Sequence, residues 1–246
     1  MKNLQGLFGF AFLAAIAARP FPVYDNMFYR HKPSTAQAGL IASNILYERD
    51  IWPHNVDANV LPDRGAFAAT VRARAVNPGP LVLDIENLPV QGASEVARRN
   101  LAALEKLADW AHEAAPGKVI GYYGTHTLSH VAPADLPYAR ALARHVDAFF
   151  PPMYTFDDDT AAWASRAQAE ASEARLLDPG KPVYFYLWPQ YHDGTPKQFQ
   201  YVGGVYWKFQ LMTASRLADG VVLWSPSRYE WDESSGWWAA TREFMR

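Results

Sequence analysis

Asp84 and Glu86 stand two residues apart at the end of an apolar run, Leu81-Val82-Leu83-Asp84-Ile85-Glu86-Asn87. In an extended strand side chains alternate between faces, so both carboxyls of such a pair project to the same side. Two carboxylates side by side disfavour each other's ionisation, and the less solvated one holds its proton closer to neutral pH. A carboxyl still protonated there can serve as a general acid, which is the chemistry that glycosidic cleavage needs. The same spacing also fits a plainer arrangement, in which Asp84 caps a turn or helix and Glu86 is solvated at a rim.

An acid pair at a strand end needs a frame, and the chain supplies strands at regular intervals. Apolar, β-branched and aromatic runs alternate with Ala-rich amphipathic stretches, the pattern of repeated β-α units around a parallel sheet. The pattern predicts strands over Phe21 to Phe28, Asn44 to Tyr47, Leu81 to Glu86, Val119 to Tyr123, Ala148 to Tyr154, Val183 to Leu187 and Gly220 to Trp224. Helices are expected over Asp63 to Ala75, Ala93 to Ala114, Pro133 to Arg144, Asp159 to Leu176, Val202 to Leu217 and Gly236 to Phe244. The link from Pro33 to Ser43 reads as a weak or short helix. Asp159 is placed as an N-cap, and Pro179-Gly180 ends the same helix. The expected fold is α/β, a distorted TIM-like (β/α) barrel with about seven parallel strands. A doubly wound open sheet is the alternative, but no glycine-rich phosphate loop follows the first strand.

In such barrels the C-terminal strand ends build the site. Here they carry Asp25 and Asn26, Tyr47 and Glu48, Asp84 and Glu86, Tyr122 and Tyr123, Tyr154, Tyr186 and Trp188, and Trp224. Aromatic rings with polar tips around a carboxylate pair suit a sugar, whose faces stack on rings while its hydroxyls and acetamido group bond to the tips. Any single Tyr or Trp is equally a large core residue with one wet end.

The residues in order, Phe21-Pro22-Val23-Tyr24-Asp25-Asn26, Ile45-Leu46-Tyr47 with Trp52-Pro53, Asp84-Ile85-Glu86, Gly121-Tyr122-Tyr123-Gly124, Phe150-Pro151-Pro152-Met153-Tyr154, Pro182-Val183-Tyr184-Phe185-Tyr186 and Gly220-Val221-Val222-Leu223-Trp224, resemble the hyaluronidases of animals and venoms. The resemblance spans nearly the whole chain after its first twenty residues and rests on the order of seven short matches. It implies a distorted barrel of about seven β/α units. It also implies that Glu86 is the general acid and that Asp84 orients the substrate's acetamido group, whose oxygen attacks the anomeric carbon in place of a protein nucleophile. Tyr154, Tyr186 and Trp224 match the family's substrate-binding residues, and Tyr123, Tyr47 and Asp25 join them from the strand ends. Three features differ from the family: Ile85 replaces the usual Trp between the acids, no cysteine is present, and the chain is much shorter. The resemblance implies a glycosidase that cuts a glycan at an N-acetylhexosamine with retention. The alternatives are a silent glycan-binding barrel, or a retaining enzyme whose nucleophile is Glu230, Asp232 or Glu233 in the loop after the last strand.

Composition narrows the partners. Lys and Arg number 23 against 25 Asp and Glu, for a net charge of -2, which gives no footprint for nucleic acid or an anionic membrane. It also offers no evident basic groove for the polyanion hyaluronan. Nine Trp and thirteen Tyr with half the residues hydrophobic provide ample core for one domain over residues 20–246. Residues 1–19, with Lys2 before an apolar stretch from Leu4 to Ala18, read as a signal peptide, so a secreted or periplasmic monomer acting on polysaccharide or oligosaccharide is expected. No cofactor and no metal are called for. Asp157-Asp158-Asp159 lacks EF-hand spacing. His126 and His130 lack the partner acid of a zinc helix. Neither a nucleophile elbow nor a cysteine supports triad hydrolysis.

Overall fold

The structure, a computed structural model, describes residues 21–52, 56–92, 94–124 and 132–246. The expected signal segment, Pro53 of the Trp52-Pro53 match, and His126 and His130 lie outside the described residues.

Strands form close to where the β-branched and aromatic runs place them: β1 (Val23–Met27), β2 (Ile41–Ala42), β3 (Asn44–Tyr47), β4 (Leu81–Asp84), β5 (Ile120–Tyr122), β6 (Tyr184–Leu187) and β7 (Gly220–Ser225). The helices are α1 (Arg64–Arg74), α2 (Glu95–Ala114), α3 (Leu136–Ala143), α4 (Thr160–Leu177), α5 (Gly204–Leu217) and α6 (Gly236–Phe244). Capping explains several starts. Asp63, Ser94 and Asp159 each accept backbone N–H bonds from the first turn of α1, α2 and α4. Among the described residues no helix is long and apolar enough to cross a membrane.

All strand ladders are parallel and make two sheets, of order β2-β1-β7-β6 and β3-β4-β5. Residues 41–47 join the sheets on one side, since β2 pairs with β1 and β3, after Ser43, pairs with β4. On the other side Phe150 bridges to Tyr123, while Phe149 and Pro152 bridge to Val183 and Tyr186. The result is a distorted TIM-like α/β barrel with two weak seams.

Two expectations are corrected here. The fifth strand, expected over Ala148 to Tyr154, is a series of single bridges, because Pro151 and Pro152 have no N–H to give to a ladder. Backbone bonds from the Phe149 and Met153 N–H groups to the Pro182 and Tyr186 carbonyls tie the segment to β6, and side chains from the neighbouring helices add to the hold. Trp163 Nε1 donates to the Met153 carbonyl at 3.1 Å, an Arg166 guanidinium N–H donates to the Tyr154 carbonyl, and Gln210 Nε2 donates to Thr155 Oγ1 at 2.8 Å. The link from Pro33 to Ser43 contains only a three-residue 3-10 turn, Ala36–Ala38, before β2. β2 is too short to carry a periodic signal.

Strand alternation sorts the core into two clusters. Val23, Leu46, Leu83, Phe149, Phe185 and Leu223 point outward and pack with helix residues such as Phe67, Leu107, Trp163 and Trp207. Val82, Ala148, Phe150, Tyr186 and Val222 point inward and fill the barrel. Gly121 belongs to the inward set, and a Cβ there would lie 2.3 Å from the Ala148 carbonyl oxygen and 2.7 Å from the Phe150 ring. We therefore expect Gly121→Ala to cost about 3 kcal/mol or more of stability by urea denaturation. Gly203→Ala, where nothing lies within 4 Å of the added methyl, should stay within about 1 kcal/mol.

Candidate active site

The inward residues at the C-terminal ends of the strands form a ring of polar and aromatic groups. Asp84 follows Val82 on the inner face of β4, and its register partner on β3 is Tyr47. Asn26 and Trp224 are partners across β1 and β7. Trp224 Nε1 donates to the Tyr47 hydroxyl at 3.1 Å, and Asn26 Nδ2 donates to the Tyr186 hydroxyl at 2.8 Å. Tyr123 meets Tyr186 edge-on at 5.1 Å, and Tyr154 stacks between Trp224 at 6.0 Å and His192 at 5.5 Å. Burial holds the Tyr47, Tyr123, Tyr154 and Tyr186 hydroxyls above the usual phenol range, so they remain neutral donors at any ordinary pH.

The acid pair sits on one side of this ring. Asp84 is partly buried, ending β4, and Glu86 is exposed just beyond it. Burial pushes the Asp84 carboxyl up to about 7, aided by the charges of Glu86 and Glu48 and opposed by Arg49; its hydrogen bond to Glu86 acts in the same upward direction. Glu86 is also raised, first by burial and then by Glu48, while the Asp84 bond and His192 pull it down. The resting proton therefore lies on Asp84, the less solvated acid, and Glu86 receives it in a hydrogen bond. Asp84 Oδ1 is buried and no donor of the chain reaches it among the described residues.

The structure brings together six of the eight residues singled out from the sequence for their inward ends: Asp84, Tyr47, Tyr123, Tyr154, Tyr186 and Trp224. Glu86 joins them through Asp84. Asp25 does not join them. It is the register partner of outward-facing Leu223, and its carboxylate is taken by the Met27 N–H at 2.9 Å, by Lys32 Nζ at 2.5 Å and by the Thr35 hydroxyl. Asn26 holds the inward place instead, and a period of two applied to Val23 as an outward residue would have chosen it. Two further residues had little sequence signal: Asn87, which follows Glu86, and His192 in the loop after β6.

The late-loop acids are engaged elsewhere. Glu230 pairs with Arg30 at 2.9 Å, Asp232 accepts from the Ser234 N–H at 2.9 Å, and Glu233 accepts from the indoles of Trp231 and Trp238 at 2.9 and 3.0 Å. Asp158 holds Lys197 and the Tyr191 hydroxyl, and Asp159 caps α4.

Beside the ring, where β3 diverges from β1, lies a cleft of about 790 Å³ whose lining includes Tyr47 and Trp224. Lys32, Arg49, Arg74 and Arg228 line it together with Asp25 and Asp50. Arg49 lies 4.2 Å over the Tyr47 ring, and Arg228 lies 4.5 Å over Phe199, a residue held at a positive φ of 66°. A net charge of -2 gives no hint of this local clustering.

No protein-family model and no curated protein sequence matches the chain. Solved structures do. Bee venom hyaluronidase in a monoclinic crystal aligns with a TM-score of 0.64 and 14% identity over 92% of this chain and 96% of that one. The same enzyme in complex with a hyaluronic acid tetramer gives 0.67 and 17% over 92% and 95%. A GH18 chitinase from Pseudoalteromonas aurantia aligns more loosely, at 0.48 and 10% over 75% and 72%. The chain has a hyaluronidase-like fold.

A carboxyl held at about 7 makes a prediction about stability. Below the ordinary carboxylate range Asp84 is protonated whether folded or unfolded, and it contributes no pH dependence. As pH rises from there to about 7, only the unfolded chain ionises, so stability falls and then levels off. Asp84→Asn mimics the protonated form. It should be near neutral in acid and gain about 1–3 kcal/mol in mild alkali by urea denaturation, the full Coulombic figure being reduced by partial solvation. An equal effect at both pH values would contradict the assignment of the proton.

Proposed function

We propose that the protein is a glycoside hydrolase that cuts a glycan at an N-acetylhexosamine by a substrate-assisted, retaining mechanism, with Glu86 as general acid and Asp84 as the partner of the acetamido group. The observation that carries this reading is the buried, donorless Asp84 Oδ1 beside a shared proton. An acetamido N–H is the donor that atom lacks. Such a bond favours the charged form of Asp84, which moves the shared proton along the existing hydrogen bond to Glu86, the more exposed acid.

Glu86 then protonates the glycosidic oxygen as the acetamido oxygen attacks the anomeric carbon and the C–O bond breaks. A cyclic oxazolinium results, and water opens it with the Glu86 carboxylate as base, which restores the proton to the pair. Tyr47, Tyr123, Tyr154 and Tyr186 supply neutral hydroxyls around the pair, and half-buried Trp224, backed by Tyr154, offers the face on which a pyranose would stack. The engagement of Glu230, Asp232 and Glu233 with other groups supports the substrate's own acetamido oxygen as nucleophile. The structural neighbour that holds a hyaluronic acid tetramer, and Arg49 and Arg228, the cations of the adjacent cleft that no acid pairs with among the described residues, support a chain that includes acidic sugars, against the expectation from net charge.

Incubation with N-acetylated polysaccharides, neutral and acidic, should release new reducing ends detectable by mass. Glu86→Gln should lower turnover by about 10²–10⁴-fold without lowering the melting temperature, and a thiazoline mimic of the cyclic intermediate should inhibit the parent enzyme. Near-normal turnover in Glu86→Gln would remove the assignment.

A further inference from the structure

Glu48 directly follows Tyr47, the residue paired with Asp84 across β3 and β4. The residue that follows Glu86 holds it from the other side: the Asn87 backbone N–H donates to Glu48 Oε2 at 3.2 Å, and the Asn87 side-chain amide donates to Oε1. Both oxygens accept, which suits a carboxylate and not a group that offers a proton. The 3-10 turn Glu48–Asp50, closed by Asp50 accepting from the Tyr47 N–H at 3.1 Å, fixes the backbone beneath it. Among the described residues no cation pairs with Glu48 at ion-pair distance, whereas Asp50 beside it pairs with Arg74 at 2.9 Å.

We propose that Glu48 is a positioning residue for the acid pair, a negative charge clamped by Asn87 that holds the pair's shared proton in place and so sets the alkaline limit of the acid. The proposal rests on the reading of Asp84 and Glu86 as the pair that protonates the substrate. A fixed negative charge close to two carboxyls favours the state in which one of them stays neutral, and the charge of Glu48 acts upward on both Asp84 and Glu86. The other groups around the pair are accounted for. Arg49 opposes Glu48 at Asp84, and His192 from the loop after β6 opposes it at Glu86. The hydroxyls of Tyr47, Tyr123, Tyr154 and Tyr186 are neutral, and Asp50 is turned to Arg74. Without Glu48, Arg49 stands against Glu86 alone, and the hold on the Asp84 proton weakens.

The test is a titration that needs no turnover. In protein labelled with ¹³C at aspartate carboxyls, the Asp84 resonance is identified by its loss in Asp84→Asn and followed with pH. Its midpoint, about 7 in the parent, should fall about tenfold in proton affinity in Glu48→Gln, which keeps the shape and an acceptor for Asn87. Asn87→Ala, which frees the carboxylate from its side-chain donor, should move the midpoint the same way by less. An unchanged midpoint in Glu48→Gln overturns the proposal. Given a substrate, the alkaline limb of the parent's rate profile should move down in Glu48→Gln together with the midpoint. If the midpoint moves and the limb does not, Glu48 keeps its role and the reading of the pair as the acid falls.

Discussion

A carboxyl that water reaches poorly, bonded to a second carboxyl two residues on, just past the end of its strand, keeps its proton up to about neutral pH. Asp84 is in that position, and its proton, bonded to Glu86, is the feature around which the mouth of the barrel is arranged. Glu48 strengthens the constraint, Arg49 relaxes it, and a ring of buried phenols surrounds it with neutral hydroxyl donors. An arrangement that costs folding energy and leaves Asp84 Oδ1 without a donor is the kind of strain that functional sites retain.

The fold serves this arrangement through strand alternation. Outward residues bind the strands to the helices, and inward residues build the barrel in layers, from Tyr24 and Tyr184 at one end through Val82, Phe150 and Val222 to the polar ring at the other. One irregular part of the wall is the Pro151-Pro152 segment, held by single bridges in place of a ladder, and it leads into Tyr154. Trp163 and Arg166 of α4 hold the Met153 and Tyr154 carbonyls there, so a helix on the outside of the barrel fixes a ring on the inside. At the other seam the shift of residues 41–47 from β1 to β4 opens the cleft beside Tyr47 and Trp224. The seams that keep the barrel from being regular are thus the places where the site gains its wall and its side cleft.

Much of this was legible in the residues. The apolar runs marked the strands in order, the i and i+2 spacing placed Asp84 and Glu86 together, and the aromatic strand ends marked the ring. Asp159 was legible as a cap because its oxygen lies in reach of the N–H groups that follow it. What failed did so for physical reasons. Asp25 looked like the better ligand than Asn26, but only the ladder register says which of two neighbours faces inward. The two prolines read as part of an apolar run although they cannot donate to a ladder. The grip of Asn87 on Glu48 joins residues 39 apart in sequence, and the cations of the side cleft come from four separate stretches, so neither leaves a local pattern.

The central claim concerns where one proton rests. Neutron diffraction from deuterated crystals grown slightly below neutral pH locates it directly. The account predicts a deuteron on Asp84, directed at a Glu86 oxygen, with Glu48 bare and accepting from Asn87. Density that shows Asp84 ionised, or its proton directed away from Glu86, would contradict it.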